Sequence, residues 1–436
     1  MKRFLLLGLI PSLLFAGQGE LPPAFDLRNV GGKSFVSAVK SQSGGTCWTH
    51  GAMAAIESNL MLGGAWLGSG ETGEANLAEY HLDWWNGFNQ HFNGDITPET
   101  GGLTVHQGGD YRVAAAYLAR GGGAVRDVDA QSFSIAPGQV DAKYRFFYVR
   151  DIEWLTVGAG LESLDDVKRA IAEGGAIGTA LAWSGSFYTN NTFYQPPSST
   201  MDPNHAVTIV GWDDAKATQA PKPGAWLVKN SWGSGWGNGG YFWLSYHDKI
   251  AGRHPEMGAV SFRGVEPMRF KRVYHHDYHG WRDTKNVSEA FNSFVARGGG
   301  LREREVLRAV SFYTAVSEVQ YTVAVYGAFE NGELEDLLLS QEGVMETAGF
   351  HTVDTHWPVR LEAGKSFHIY LRLSAGGHPF DKTSNVPLLL GGQGRPIVKS
   401  KAAPGQSFYR AGSRWVDLTG DDASANFCIK ALAVDE

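Results

Sequence analysis

The stretch 224–246, which reads GAWLVKNSWGSGWGNGGYFWLSY, limits the folds open to this chain more sharply than any other segment. Two apolar runs, AWLVK and YFWLS, have the length and aromatic content of buried strands, and each is bounded by glycine. Asn230 lies where the first run ends, before a short loop rich in glycine and tryptophan. A third run, HAVTIVGWDD, begins at His205. The pattern predicts a β-rich unit in which a histidine begins one strand and an asparagine ends another.

Two helices are predicted upstream of these strands. The run CWTHGAMAAIESNLM has no proline, many small residues and apolar side chains at helical spacing, which predicts a buried helix starting near Cys47. The run LESLDDVKRAIAEGG predicts a second helix, with Ser163 as its candidate N-cap and Gly174 as its candidate stop. Residues 21–262 therefore predict a domain in which helices and strands are mixed.

The C-terminal part, residues 265–436, has a different pattern, and the join is predicted near FRGVEPMRFKR. Short β-rich runs separated by turn residues are typical of a β-sandwich or jelly roll. These runs are LRAVSFYT, VQYTVAVYGA, SFHIYLRLS, NVPLLLGG, SFYRAGSRWVDLT and ANFCIKALAV.

Length and charge exclude some classes of protein. A chain of 436 residues predicts two or three domains with ample core. The net charge of −7 argues against a nucleic-acid binder, because phosphate contacts need a basic surface.

The N-terminal segment predicts export. Lys2 and Arg3 precede an apolar run at 4–16 that ends in small residues, which is the layout of a secretory signal peptide over residues 1–17. No other stretch approaches the roughly 20 apolar residues that a spanning helix needs, so no membrane span is predicted. We expect the mature protein in the periplasm or outside the cell.

The chain has only two cysteines, Cys47 and Cys428. An exported protein can form disulfides, so a bridge between them is one alternative. A thiol at a helix N-terminus with a nearby imidazole is instead a nucleophile, and Cys47 has that setting. His205 and Asn230 are the candidate base and the candidate group that orients it. Cys428 is predicted to be a small apolar residue in a buried strand.

Three blocks, VKSQSGGTCW, NHAVTIVGWDD and VKNSWGSGWGNGGYFWL, resemble the active-site blocks of the papain-like cysteine peptidases. The resemblance covers about 21–262 and implies an α+β catalytic domain with two lobes, one helical and one a β-barrel. It implies that Cys47 attacks the peptide carbonyl, that His205 transfers the proton and that Asn230 orients the imidazole. It also implies that Trp232 shields the bond between His205 and Asn230 from water.

The same resemblance implies an oxyanion donor and a substrate cleft. Gln42 matches the oxyanion glutamine, although it precedes Cys47 by five residues where the family usually has six. The run HQGGDYRVAAAYLARGGG resembles the segment that binds the extended substrate backbone, which assigns Gly108 and Gly109 to the cleft. Ala206 is expected beside the substrate.

Other positions depart from the family pattern. Thr49 and His50 follow CW where relatives typically have an aromatic residue, and His50 is interpreted as a core residue in preference to a second titrating group near the thiolate. LPPAFDLR resembles the start of the mature catalytic domain and follows the predicted signal peptide closely. We therefore expect no inhibitory prosegment, which leaves export or the C-terminal domain as the means of control, if control exists.

The second domain resembles the lectin-like β-domain that follows some bacterial papain-like peptidases, on the residues VYHHDYHGW and ANFCIKALAV. The resemblance implies a carbohydrate or another cell-surface ligand. The aromatic residues of this domain could stack on sugars, but they are interpreted as core, because a sandwich needs aromatic residues in its interior. They are Trp281, Tyr313, Tyr326, Trp357 and Trp415.

No metal and no cofactor is predicted. His275, His276, Asp277 and His279 have the residue types of a metal site. Neighbouring residues on a strand point to opposite faces, however, so the four side chains are not expected to converge.

The preferred hypothesis is an exported peptidase that hydrolyses peptide or protein substrates through a thioester on Cys47. Two alternatives use the same residues. One is a degenerate homologue that binds peptides without turnover, because its shortened Gln42 loop fails to support the oxyanion. The other is an acyltransferase, in which an amine replaces water in the attack on the thioester.

Overall fold

The computed structural model describes residues 20–96, 101–298, 304–389 and 395–436. The predicted signal peptide, residues 1–17, lies outside the described residues. Six α-helices are described, all in the first 174 residues. They are α1 Cys47–Leu62, α2 Ala65–Gly68, α3 Glu79–Trp85, α4 Tyr111–Ala119, α5 Asp127–Ala130 and α6 Leu164–Gly174.

The first ten strands belong to the same part of the chain as the helices. They are β1 Ala24–Asp26, β2 Phe147–Tyr148, β3 Asp151–Leu155, β4 Ile177–Leu181, β5 Tyr188–Thr189, β6 Thr192–Phe193, β7 His205–Asp213, β8 Ala225–Lys229, β9 Tyr241–Ser245 and β10 Ala259–Arg263. The three strands predicted from the sequence are β7, β8 and β9, and they pair antiparallel in that order.

Helix α1 is buried along most of its length, as predicted. The small residues Gly51, Ala52 and Ala55 allow neighbouring elements to approach its backbone closely. The Thr208 hydroxyl on β7 donates to the Gly51 carbonyl at 3.3 Å. This packing fixes the start of α1, at Cys47, against the start of β7.

The second predicted helix forms as α6, with Ser163 at its N-cap position as predicted and its C-terminal end one residue beyond the predicted stop. Ser163 is at the N-cap position without a side-chain hydrogen bond, because its φ of 60° is left-handed and not the extended conformation that aims a capping oxygen at the first turn. Gly174 is the last helical residue, and the left-handed Gly175, with φ 96°, ends the helix.

The remaining sixteen strands form the β-rich C-terminal part. They are β11 Glu266–Pro267, β12 Arg272–Tyr274, β13 Asp283–Lys285, β14 Glu289–Val295, β15 Glu305–Thr314, β16 Val319–Glu330, β17 Glu333–Met345, β18 Gly349–Leu361, β19 Ser366–Leu373, β20 His378–Asp381, β21 Ser384–Asn385, β22 Ile397–Val398, β23 Ser407–Ala411, β24 Arg414–Asp417, β25 Asn426–Phe427 and β26 Ile429–Asp435.

Two sheets enclose the apolar core of this part. One has the order β17-β16-β19-β14-β23-β24, and the other contains β12-β26-β15-β18. Strand β18 also pairs with β3 through Gly349 opposite Glu153 and Phe350 opposite Ile152. The second sheet therefore continues into the sheet that contains β7 and β8.

The prediction that NVPLLLGG forms a strand is wrong for most of its described residues. Only Asn385 lies in a strand, and residues 386–389 pair with no neighbouring strand. Pro387 cannot donate a ladder hydrogen bond, which disfavours a strand at this place. Leu389 instead bonds to Gly109 and Cys47 in the helical part of the chain, whereas Val386 bonds to Pro396 within the C-terminal part.

The two cysteines are buried and free, so the disulfide alternative is not realised. Among the aromatic residues interpreted as core, Tyr313 is fully buried, whereas Tyr326 and Trp415 are half-buried. Trp281 is half-buried and stacks on the Arg112 guanidinium at 4.4 Å. The interpretation is wrong for Trp357, which is 50% exposed, because it lies where the pairing of β18 with β15 is interrupted.

Within the described residues, no helix combines the length and the apolar character that crossing a membrane requires.

Candidate active site

Cys47 is the first residue of α1 and is 0% exposed. The loop before it is fixed at two points. The Thr46 hydroxyl donates to the Ser43 carbonyl at 2.9 Å, and the Gly45 amide donates to the His106 carbonyl at 2.6 Å. The second bond joins the cysteine loop to the segment that contains the predicted cleft glycines.

His205 and Asn230 are brought together because β7 and β8 are antiparallel neighbours. His205 Nε2 is 2.8 Å from Asn230 Oδ1. The same Oδ1 accepts the Ser231 backbone N–H at 2.8 Å, so it can only be an acceptor for the imidazole. Nε2 therefore carries the hydrogen, and Nδ1 keeps a lone pair that can take a proton.

The Trp232 ring covers this pair. Its centroid lies 4.5 Å from the His205 ring with an interplanar angle of 23°. His205 is 4% exposed, so its bond to Asn230 lies away from solvent. The structure thus brings three of the predicted site residues together: His205 is hydrogen-bonded to Asn230 and stacked on Trp232.

Burial dominates the titration of the two groups predicted to react. It raises the pKa of the Cys47 thiol to about 11, although hydrogen bonding from the Ala206 backbone and from the helix start acts in the opposite direction. Burial also lowers the pKa of His205 to about 4, with the Asn230 hydrogen bond opposing it. In this arrangement both groups are neutral near pH 7.

Gln42 reaches the same site from the loop before α1. Its backbone N–H donates to the Ser231 carbonyl at 2.8 Å, and its Oε1 accepts the Ser231 hydroxyl at 2.7 Å. Its Nε2 donates to the Gly44 carbonyl at 2.9 Å. The side-chain amide is therefore anchored beside Asn230 and directed over the short loop that leads to Cys47.

Gly108 and Gly109 lie next to the helix that begins at Cys47. Gly108 has φ 106°, which favours glycine, and a Cβ on Gly109 would lie 2.5 Å from the buried Trp48 indole. The Gly109 carbonyl accepts the Leu389 N–H at 3.1 Å.

We expect Gly109→Ala to lower the melting temperature by several degrees, because the added methyl forces the buried indole of Trp48 to shift, and overpacking typically costs about 1–3 kcal/mol. Differential scanning calorimetry measures the change. Gly185→Ala is the matched control, since a Cβ there meets nothing within 4 Å. Equal melting temperatures for the two variants would contradict the close contact.

Leu389 is a site residue that sequence reasoning missed. It is 0% exposed, and its carbonyl oxygen lies 3.5 Å from Cys47 Sγ. The signal available in the sequence was Pro387 inside an apolar run followed by glycines, which argues against a strand.

Sequence reasoning also missed a buried charged group on the inner side of α1. Lys40 Nζ contacts Glu57 Oε1 at 2.8 Å and Glu79 Oε1 at 2.6 Å. The Ser37 hydroxyl donates to Glu57 and accepts from Lys229 at 2.8 Å. Lys229 immediately precedes Asn230, so this group stabilises the end of β8 at the site.

His50 is buried, and its Nδ1 lies 2.8 Å from the Thr46 carbonyl. Burial lowers its pKa. This hydrogen bond and the low pKa agree with its interpretation as a core residue.

The four residues considered as metal ligands do not converge. Asp277 pairs with Lys430, and His276 Nε2 lies 2.7 Å from the Ser293 carbonyl. A different group, Asp95, His279 and Asp381, has donor atoms within 4.8 Å of one another. Both ring nitrogens of His279 are already hydrogen-bonded, to the Ser400 hydroxyl at 2.8 Å and to the Gly87 carbonyl at 3.0 Å, so the group is explained as a polar contact between the two parts of the chain.

Two protein-family profiles match the chain. One is described as "Papain family cysteine protease" and matches residues 107–258, and the other is described as "Lectin like domain" and matches residues 273–433. The predicted resemblance to both families is confirmed.

Curated relatives match the first part of the chain. Rat (Rattus norvegicus) procathepsin L is 29% identical over 229 residues, which is 51% of this chain and 60% of that protein. Bovine (Bos taurus) pro-cathepsin H is 29% identical over 250 residues, 54% of this chain and 63% of that protein. The chain thus covers less than two thirds of these relatives.

Solved structures match both parts together. The clostridial cysteine protease Cwp84 after propeptide cleavage has a TM-score of 0.75 at 23% identity, covering 94% of this chain and 99% of that one. A second structure shows the cysteine protease and lectin-like domains of Cwp84, described as a surface layer associated protein of Clostridium difficile. Its TM-score is 0.73 at 22% identity, over 95% of this chain and 89% of that one. The predicted fold class, a papain-like catalytic domain followed by a β-rich domain, is confirmed.

Proposed function

We propose that this chain, which carries a papain-family cysteine protease domain followed by a lectin-like domain, is an exported cysteine peptidase that uses Cys47, His205 and Asn230. The observation that carries the proposal is the hydrogen bond of 2.8 Å between His205 and Asn230 beneath Trp232. It holds the imidazole in the tautomer whose Nδ1 can accept a proton. The next residue along β7, Ala206, has its backbone within hydrogen-bonding reach of the Cys47 thiol.

The reaction follows from these groups. His205 takes the thiol proton, and the Cys47 sulfur forms a bond to the substrate carbonyl carbon, whose oxygen becomes an oxyanion. The C–N bond then breaks, and His205 gives its proton to the departing amine. Water, deprotonated by His205, attacks the thioester and releases the acid, which restores the thiol.

The oxyanion is assigned to two donors, the Cys47 backbone N–H and Gln42 Nε2. A helix N-terminus leaves its first N–H groups without intrahelical partners, so the Cys47 amide is available. Ser231 orients the second donor, because its hydroxyl holds Gln42 Oε1 and leaves Nε2 on the side toward the cysteine loop.

The substrate is assigned to the cleft at Gly108 and Gly109. Glycine allows an extended peptide to approach the main chain closely, and the Gly109 carbonyl, which accepts the Leu389 N–H in this structure, would accept a peptide N–H from a bound substrate. Ala206, buried beside Cys47, has a small side chain that leaves room for the substrate.

Export is proposed from the signal-peptide pattern in residues 1–17. The surface-layer description of the structurally similar Cwp84 agrees with a location outside the cytoplasm. A carbohydrate or cell-surface ligand is proposed for the C-terminal domain, for which the exposed Trp357 offers a stacking face.

The function is tested with fluorogenic and unlabelled peptides in reducing buffer, with product masses measured with and without an added primary amine. Products that carry one added water establish hydrolysis. Products that carry the amine would assign acyl transfer, and labelling of Cys47 by a peptide electrophile without any product would assign the binding module.

We expect Gln42→Ala to lower kcat by about 10²–10³, which is the usual cost of removing one oxyanion donor. Ser231→Ala should cause a smaller loss, since it only frees the amide that Ser231 orients. Steady-state kinetics on the same peptide measure both. A Gln42→Ala enzyme with unchanged kcat would show that the shortened loop holds the amide outside the oxyanion site.

A further inference from the structure

The cleft is already occupied by the chain itself. Residues 386–389, in the lectin-like domain, lie in the position where the proposed function places a substrate. The Leu389 N–H donates to the Gly109 carbonyl at 3.1 Å, and the Leu389 carbonyl accepts from the Cys47 thiol at 3.5 Å. The backbone of one residue thus connects the glycine assigned to substrate binding with the nucleophile.

Apolar packing supports these two contacts. Leu389 and Val386 are both 0% exposed, and they share one continuous core with Cys47, Trp48 and Ala206. Because the cysteine is fully covered, a peptide cannot reach the sulfur in this arrangement.

The stretch that follows, 395–401, is docked on the same lobe. The Ile397 carbonyl accepts the Gly102 N–H at 2.9 Å, and the Lys399 carbonyl accepts from Asn93 Nδ2 at 3.0 Å. The contact therefore involves two stretches of the lectin-like domain.

Other residues of the lectin-like domain anchor the start of the segment 386–389. Arg282 donates to the Ser384 hydroxyl at 2.9 Å and to the Asn385 carbonyl at 3.1 Å. Val386 N–H donates to the Pro396 carbonyl at 3.0 Å. Any movement of these anchoring residues relative to the catalytic lobe therefore changes the position of Leu389.

We propose that residues 386–389 are an intramolecular inhibitor that occupies the substrate cleft of the proposed peptidase, so that the chain is latent until this segment withdraws. The inference rests on the proposed function for its consequence, but the occupancy itself depends only on the contacts around Leu389. The raised pKa of Cys47 and the lowered pKa of His205 agree with it, because the occupied site holds a neutral and unreactive pair.

The test measures alkylation of Cys47 by iodoacetamide, located by peptide mass spectrometry, in the wild type and two variants. Leu389→Pro removes the N–H that bonds to Gly109, and Leu389→Asp puts a charge where an apolar side chain is buried. Each variant should raise the rate of Cys47 alkylation at least about tenfold, because each shifts the population of molecules toward the form in which residues 386–389 have left the cleft.

Two controls accompany the measurement. Ile397→Asp puts the same charge on the docked stretch at a side chain that is 56% exposed, and it should leave the rate at Cys47 unchanged. Cys428 is 2% exposed, so its alkylation reports unfolding. If a variant exposes Cys428, the milder Leu389→Ala replaces it and should show a smaller increase at Cys47 alone.

Peptide kinetics complete the design. An intramolecular competitor raises the apparent KM and leaves kcat unchanged, so Leu389→Pro should lower KM at least about tenfold at constant kcat. Equal alkylation of Cys47 in the wild type and both Leu389 variants would overturn the inhibitor. Faster alkylation without peptide turnover in any variant would support the occupancy and overturn the proposed peptidase, so the two failures are distinguishable.

Discussion

Cys47→Ala should abolish peptide hydrolysis, with a loss in kcat/KM of at least about 10⁴-fold, because the sulfur that forms the thioester is gone and neither His205 nor the oxyanion donors can replace it. The measurement uses the same peptide in the wild-type background and in the Leu389→Pro background. The second background removes latency, so the loss is seen even if the wild type is slow.

Cys428→Ala is the matched control, since it removes the only other thiol. Cys428 is buried in the lectin-like domain, between β25 and β26. The Cys428→Ala variant should therefore hydrolyse the peptide at a rate near that of the wild type. Turnover that survives in Cys47→Ala, or that is lost equally in Cys428→Ala, would be incompatible with a thioester on Cys47.

The parts of the site that the sequence predicts well are those set by local pattern. Cys47 begins α1, His205 begins β7 and Asn230 follows β8, because apolar periodicity and flanking glycines mark the ends of these elements. Adjacent antiparallel strands then bring His205 and Asn230 within hydrogen-bonding distance without any long-range information.

The parts that the sequence does not predict depend on contacts between distant residues. Leu389 is 342 residues from Cys47 along the chain, and its apolar run also fits a buried strand. Glu57 and Glu79, which pair with the partly buried Lys40, are of a residue type that is usually exposed, so only the packed structure shows that they are buried.

The C-terminal domain therefore contributes residues 386–389 to the candidate active site. One sheet continues from β3 into β18, and residues 386–389 return to the cleft from the far side. The C-terminal domain thus contacts the first part of the chain through paired strands at β18 and β3 and through a short segment without strand partners at Cys47. Among the alternatives considered for control, which were export, the C-terminal domain or no control, this arrangement favours the C-terminal domain.

Asp277 and Lys430 form a buried ion pair in that domain, where the loss of one partner alone should be costly. The Lys430 ammonium donates to an Asp277 carboxylate oxygen, and both side chains are almost completely buried. Burial raises the pKa of Asp277 to about 6 against the attraction of Lys430. Lys430 also lies over the Tyr313 ring at 5.6 Å.

Asp277→Ala should lower the free energy of unfolding by about 3–5 kcal/mol, because it leaves the Lys430 ammonium buried without a counter-ion. Urea titration followed by alkylation of Cys428 measures the change in the core that contains this pair.

Replacing both partners with apolar residues, Asp277→Leu with Lys430→Met, should recover most of the loss, since no unpaired charge remains. Arg308→Ala breaks a surface pair with Glu436 and should cost less than about 1 kcal/mol. If Asp277→Ala lowers the free energy of unfolding no more than Arg308→Ala does, the Lys430 ammonium is hydrated when its partner is removed, and no unpaired buried charge destabilises the domain.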